Sequence, residues 1–278
     1  MPFTVSHVAA VVPMARSPLV TSALVIGSMS PDIPYYLPLF VGSEATHSPV
    51  GVVSIDVLLS LAVFMAWHGF LTRPAIDCAP TAVRGRIPSQ AVHPLSTRLS
   101  SLRQVLLVLL STSVGATTHV AWDSFTHAGG WGTTHVAWLA EQHGLLPGYS
   151  WAQYGSGIFG ALVISLWLAQ WWRSTPVAPS SSRLRPVVAA RAWLSVLAAG
   201  AAGAAFGGLG PLTSSGGPDL DSAAFLAATS GITMAALVAF LLAASWHLLT
   251  RHRAAGEEAS ASSRYESHDG APVDQRAL

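Results

Sequence analysis

His119, Asp123 and His127 stand four residues apart in the run His-Val-Ala-Trp-Asp-Ser-Phe-Thr-His. On a helix that step places the three side chains on neighbouring turns of one face. Imidazole nitrogens and a carboxylate so arrayed form a ready ligand shell for zinc or a similar divalent metal. His7, Asp32 in Ser30-Pro31-Asp32, and His47 in Thr46-His47-Ser48 add three more groups of the same types. Any one of them alone reads as a polar residue capping or hydrogen-bonding a helix end. Six of them in so apolar a chain point to a metal site.

The chain around them has 278 residues, of which 51% are hydrophobic and 10% charged. Its mean hydropathy is +0.48. A soluble domain carries about 25% charged residues, so the composition predicts an integral membrane protein. All 14 basic residues are arginine, and the net charge of +1 gives no field that would attract nucleic acid. One cysteine, Cys78, excludes an intramolecular disulfide and a cysteine-based zinc site. The N-terminus lacks a basic region and is interrupted by His7 and Pro13, which does not suit a cleavable signal peptide.

Five segments approach the ~20 apolar residues that cross a bilayer: 50–70, 103–122, 156–173, 188–211 and 222–249. The expected fold is therefore an all-α polytopic transmembrane bundle of five to six membrane segments. Between Val8 and Met29, Pro13 and Pro18 split a shorter apolar stretch into two. It reads as a sixth, broken span or as a re-entrant hairpin, and the short apolar runs favour the hairpin. The organisation follows: residues 1–48 hold the broken hairpin and ligand-bearing loops, 49–253 the bundle with a loop at 123–155, and 254–278 a polar, disordered cytoplasmic tail.

Arginines orient the bundle. The loop 71–104 carries Arg73, Arg84, Arg86, Arg98 and Arg103; the loop 174–187 carries Arg183 and Arg185; the tail opens with Arg251 and Arg253. The loops 31–48, 123–155 and 212–221 have no arginine. The expectation is a multi-pass protein of a bacterial cell membrane, with the candidate site at the outer surface. His7 reaches that surface only if Val8–Met29 folds back as a hairpin.

Other residues have two readings each. Asp56 lies within the first span, where it could orient a histidine ligand, or be protonated or hydrogen-bonded to a serine or threonine. Trp131, Trp138, Tyr149 and Trp151 suit an interfacial anchor. Glu141 is a candidate general base or a solvated surface acid. Gln153, Tyr154 and Ser156 could bond a substrate or cap the helix that follows. Gly200, Gly203 and Gly207 suit close helix packing.

The segments Met1-Pro2-Phe3-Thr4-Val5-Ser6-His7, Gly27-Ser28-Met29-Ser30-Pro31-Asp32, Thr46-His47-Ser48, Gly115-Ala116-Thr117-Thr118-His119, Trp122-Asp123-Ser124-Phe125-Thr126-His127 and Gln153-Tyr154-Gly155-Ser156 resemble a bacterial membrane family, domain of unknown function 4184. The order His, Ser-Pro-Asp, Thr-His-Ser, His-x-x-x-Asp is also similar to that of membrane-bound metal-dependent hydrolases, zinc-dependent phospholipase C and P1-type nucleases. This second resemblance implies His7, Asp32, His47, His119 and Asp123 as metal ligands, with His127 a further ligand or an outer partner. Asp123 and His127 are the candidate catalytic residues. Those soluble enzymes have a free N-terminal amine at the metals and a further His…His-x-x-x-Asp set. Neither is evident here, which implies one or two metals rather than three.

The function so read is a metal-dependent hydrolase using a metal-activated water at the outer membrane face, with zinc the expected ion. A small-molecule or lipid phosphoester, drawn from membrane lipid, is the expected substrate class. The alternatives are a transporter or metal-permeation protein, or a purely structural helix bundle. No Walker loop and no Gly-x-Ser-x-Gly elbow is present.

Overall fold

The computed structural model describes residues 4–180, 182, 184–213 and 217–269. Arg183 and Met1, Pro2 and Phe3 of the first motif lie outside the described residues. The protein is an all-α helix bundle whose strands, among the described residues, are the two-residue β1 (Gln142–His143) and β2 (Leu146–Pro147).

The helix α1 (Thr21–Gly27) is short. Five others are long and apolar enough to cross a membrane: α2 (Ile55–Cys78), α3 (Leu102–Thr126), α4 (Gly148–Ser174), α5 (Pro186–Leu212) and α6 (Leu220–Asp269, apolar over Leu220–His252). Leu58, Leu166, Leu197, Phe206 and Leu241 stand exposed along them. Helices with apolar outward sides and internally satisfied backbones suit a hydrocarbon surround.

Two boundaries differ from those read in the sequence. The first span begins at Ile55, because Ser54 (φ −127, ψ −76) breaks the helix between Pro49–Val53 and α2. It continues through a π-helical turn at Trp67–Leu71 to Cys78, so Arg73 lies on helix rather than in a loop. At the other end α6 runs as helix to Asp269, past position 253. Residues 270–278 lie outside the described residues.

The stretch 4–28 folds back on itself. Thr4–His7, Val8–Val11 and Val12–Arg16 descend as short turns of helix, and α1 returns. His7 stacks on His119 of α3 with ring centroids 3.9 Å apart, and the Ser28 carbonyl accepts from His119 Nδ1–H at 2.8 Å. Val20 N–H donates to Ser111 Oγ at 2.9 Å. From His119 to Ser111 is eight residues, about 12 Å of helix against the ~30 Å of a bilayer core. The segment thus turns back along α3, and both of its ends reach the same end of the bundle.

Glycines permit this packing. A Cβ on Gly27 would meet the Thr112 carbonyl oxygen at 2.3 Å, and one on Gly115 would meet the Leu24 carbonyl oxygen at 2.4 Å. The α1 and α3 backbones therefore touch, as small residues allow inside membranes. Gly160 of α4 likewise seats the Ser6 backbone. Gly203 and Gly207 bring α5 against the α6 backbone, as their spacing implies. Ala23, Ile26, Phe64 and Val108 form a buried apolar cluster among α1, α2 and α3.

Candidate metal centre

Each short motif has a local job. In Ser30-Pro31-Asp32, a single 3-10 turn, the Ser30 hydroxyl donates to the Gly27 carbonyl at 2.9 Å and ties the turn to the end of α1. Asp32 is fully buried, and its Oδ2 accepts from Thr4 Oγ1 at 2.5 Å. In Thr46-His47-Ser48, the buried Thr46 hydroxyl donates to the Pro31 carbonyl at 2.8 Å, stapling this loop to the aspartate turn. Ser48 caps the helix Pro49–Val53, its Oγ accepting from Gly51 N–H at 2.9 Å. His47, between them, donates Nδ1–H to the Ser43 carbonyl at 2.8 Å.

His119 is held in the same way, with Nδ1–H bound to the Ser28 carbonyl. A backbone acceptor on Nδ1 fixes the tautomer and leaves the Nε2 lone pair free for a ligand role. In His47 and His119 both Nε2 atoms turn inward. They meet Asp32 Oδ1 and Asp123 Oδ2.

The distances are 3.6 Å for His47 Nε2–Asp32 Oδ1, 3.4 Å for His47 Nε2–Asp123 Oδ2, 3.5 Å for His119 Nε2–Asp32 Oδ1 and 3.3 Å for His119 Nε2–Asp123 Oδ2. All four atoms lie within 4.8 Å of one another. Each is buried and makes no hydrogen bond among the described residues. Four orphaned polar atoms in one place would cost several kcal/mol if nothing joined them. The corners of a tetrahedron centred on an ion with 2.0–2.1 Å bonds lie about 3.4 Å apart. The donor set of two imidazoles and two carboxylates, its spacing and its orphaned lone pairs fit a divalent ion.

A family model, Domain of unknown function (DUF4184), matches residues 1–244. The chain belongs to that family. No curated protein and no solved structure matches it, so the likeness to metal-dependent hydrolases rests on the residue pattern alone. In this DUF4184 chain the matched region contains the whole cluster.

The five ligands expected from the pattern divide four and one. His7 lies apart from the four-atom group, stacked on the His119 ring and edge-on to Trp122 at 5.3 Å. Its Nε2 is 3.4 Å from the other carboxylate oxygen of Asp123, Oδ1. His127 Nδ1 approaches the same Oδ1 at 3.4 Å. Asp123 is thus flanked on both oxygens, which the four-residue spacing alone does not reveal.

Electrostatics set the starting protonation. Burial, helped by the neighbouring His119, pulls His7 down to about 4, so its imidazole is neutral at pH 7. Burial would raise Asp32, but the facing His119 imidazole and the Thr4 hydroxyl outweigh it and hold the carboxyl below its ordinary value. Burial would lower His47, yet the Asp123 carboxylate and the Ser43 carbonyl outweigh it and raise the imidazole. His127 is lowered, chiefly by burial.

Other expected participants fall elsewhere. Both Asp56 oxygens are buried and make no hydrogen bond among the described residues, so this carboxyl neither orients a histidine nor binds a serine or threonine. Glu141 is exposed. His135 stacks on Trp131 and His143 on Trp138, with centroids 4.5 and 4.6 Å apart. Gln153 and Ser156 lie inside the first turns of α4, whose cap is Pro147, and they bond the site wall: the Gln153 amide lies 2.9 Å from His127 Nε2, and Ser156 Oγ accepts from Trp122 Nε1–H at 2.9 Å. Thr4 is the participant that the residue pattern missed. It sits three residues before His7, one helical step on the same side, which is the signal that could have marked it.

Proposed function

We propose that this protein is a membrane-embedded, divalent-metal-dependent hydrolase whose site opens at the outer face of a cell membrane. The carrying observation is the convergence of Asp32 Oδ1, His47 Nε2, His119 Nε2 and Asp123 Oδ2, all orphaned and buried, with both histidines locked at Nδ1 by backbone carbonyls. Structural polar residues find partners for their own sake; these four have partners for every atom except those facing the centre.

A divalent ion, zinc in this reading, would lower the pKa of a coordinated water toward ~7 and polarise a phosphoryl or acyl oxygen. The chain's own residues supply the rest. The Thr4 hydroxyl and the Ser28 and Ser43 carbonyls hold three of the four side chains in one rotamer each, so little reorganisation accompanies loading. Asp123 stands among imidazoles, and its Oδ1 faces His7 Nε2 and His127 Nδ1 at 3.4 Å each. His127 and Gln153 stand at the mouth beside it. The arginine-free loops 31–48 and 123–155 orient this end outward, at the depth of lipid headgroups. A lipid-borne or small-molecule phosphoester is the substrate class that this position supports.

The apolar cluster speaks against passage of an ion. Along one face of α2 stand Asp56, Ser60, Phe64 and His68, and Phe64 packs with Ala23, Ile26 and Val108. An apolar layer therefore packs among α1, α2 and α3, where a transit route needs polar groups near the midplane.

The test is metal content by plasma mass spectrometry on detergent-purified protein, beside a His119→Ala/Asp123→Ala double variant. Stoichiometric metal in the first and none in the second, with the fold retained, supports the reading and directs a screen of phosphoester and lipid substrates. Absence of metal from both after reconstitution sinks it.

A further inference from the structure

Between the Cys78 end of α2 and the α5–α6 pair lies a cavity of about 340 Å³. Leu71, Val188, Val196, Leu242 and Leu249 are among the side chains that line it. Its one lining hydroxyl, Ser245, donates to the Leu241 carbonyl of its own helix at 2.9 Å. The volume falls in the range of about 300–1,000 Å³ that ligand pockets occupy.

The walls of this cavity are tied together. Trp193 Nε1–H donates to the Cys78 carbonyl, Trp246 Nε1–H to Asp77 Oδ2 and His247 Nε2–H to the Phe70 carbonyl, each at 2.9 Å. Each bond crosses from α5 or α6 to α2. Protein interiors normally close around spaces larger than a water; here the three bonds set the helix spacing. The Trp193 and Trp246 indoles spend their N–H groups on α2 and line the cavity with their rings.

A second cavity, of about 250 Å³, shares Cys78, Leu184 and Trp193 with the first. Its lining is polar, with Thr81, Arg84 and Ser182. The Ala79 carbonyl braces Arg84 Nη1 at 2.9 Å, Thr81 Oγ1 lies 3.4 Å from Nη2, and the guanidinium makes no ion pair among the described residues. Arg185, between the lining residues Leu184 and Pro186, and Arg191, between Ala190 and Ala192, are exposed at the same end. The one acid in this lining, Asp77, has Oδ2 bonded to Trp246.

We propose that the paired cavity binds one anionic glycerophospholipid, an acyl chain lying between α2, α5 and α6 and the phosphate at Arg84. Depth and charge carry the assignment. Along α6 the apolar cavity runs from Ala239 to Leu249, about 15 Å of helix and half the ~30 Å of a bilayer core, the reach of a chain from one leaflet. Its mouth is the arginine-bearing end, and basic pockets between transmembrane helices on that side take anionic lipid headgroups. The lipid is a fixed component and not the substrate. The metal centre lies at the Ile55 end of the 24-residue α2 and the polar cavity at its Cys78 end, about 36 Å away. The inference goes beyond the metal reading and does not depend on it.

Full-length protein, extracted in mild detergent and exchanged into fresh detergent, tests this by native mass spectrometry and by thermal unfolding with added lipid. One phospholipid per chain should persist through the exchange. Phosphatidylglycerol should raise the unfolding midpoint more than phosphatidylcholine with the same chains. Ala192→Trp, which fills the apolar cavity, should carry no lipid and respond to neither. Arg84→Gln should still bind lipid but respond to both equally. Metal content should match the unmodified protein in both variants, so the two readings fail separately. Lipid kept in full by Ala192→Trp places it elsewhere on the surface and overturns the site. Equal responses of the unmodified protein to both lipids overturn the headgroup assignment. A second copy of the chain and no lipid in the spectrum assigns the groove to a chain–chain contact and overturns the proposal. Should Ala192→Trp fail to fold, the unmodified protein still decides: no persisting lipid and no difference between the two lipids overturns it.

Discussion

His119 donates its Nδ1–H to the backbone carbonyl of Ser28, 91 residues earlier in the chain, at 2.8 Å. A helix in the middle of the bundle thus takes its histidine tautomer from the end of the folded-back N-terminal segment. The contact exists because Gly27 and Gly115 let two backbones touch. Adding a side chain at either position must push α1 off α3, and overpacking of this kind costs about 1–3 kcal/mol. Gly115→Val is expected to lower the thermal unfolding midpoint and to weaken metal retention together. A variant that unfolds earlier yet holds metal as tightly would separate the hairpin from the centre.

Thr4 holds the far oxygen of Asp32 and is not one of the four residues of the centre. Loss of such an outer partner usually weakens metal binding by about 10–100-fold. Thr4→Val, which keeps the shape and removes the hydroxyl, should fall in that range in a competition titration against a chromophoric chelator. An unchanged affinity would show that Asp32 is positioned by its own turn.

Metal uptake should release protons. The His47 imidazole is raised by the Asp123 carboxylate and the Ser43 carbonyl despite burial, so the metal-free protein carries a proton there above the ordinary value. A ligand nitrogen must be neutral. Apparent affinity is expected to rise with pH through that raised value and to level off above it. Calorimetry in two buffers of different ionisation enthalpy measures the protons released. The stability sign runs the other way for the metal-free fold: the His47 contribution is full below an unfolded value of about 6.5 and fades as pH rises through the raised one.

Chelation should expose the stabilisation. An ion that binds the folded chain alone adds about 4 kcal/mol when present at 1,000 times its dissociation constant. The unfolding midpoint in detergent should therefore climb with free zinc and drop on chelator addition. The His119→Ala/Asp123→Ala variant should show neither response.

Asp56 offers the opposite case. It is buried in α2 with both oxygens lacking a hydrogen bond among the described residues, and Ser60 Oγ, one turn on, is also unsatisfied. Replacing a buried polar group that has no partner by an apolar one removes a penalty of about 1–3 kcal/mol. Asp56→Leu is expected to bind metal normally and to unfold at a higher temperature. A loss of metal would instead place Asp56 in the service of the centre.

Composition and period by themselves determine much of this protein. Apolar runs near the length of a bilayer, thinned of charge, leave helix as the state that satisfies the backbone in lipid, and α2 to α6 follow from that. The His119–Asp123 pair is legible for the same kind of reason: a four-residue step on a helix is a fixed geometry, here 3.3 Å between Nε2 and Oδ2. The residue types at Asp32 and His47 mark them as candidate ligands of a like kind. What only the tertiary structure decided is which atoms meet. That His7 turns to Asp123 Oδ1 rather than joining the four depends on the hairpin depth, and so on glycine contacts between distant segments. The partners that aim His47 and His119 are carbonyls of Ser43 and Ser28. Every residue has a carbonyl, so nothing in a side-chain pattern marks those two. Asp56 shows the same limit from the other side, since a carboxylate in a span looks functional until packing shows that no donor reaches it. Local periodicity is written residue by residue; rotamer choice and backbone acceptors are set by what the folded chain brings alongside.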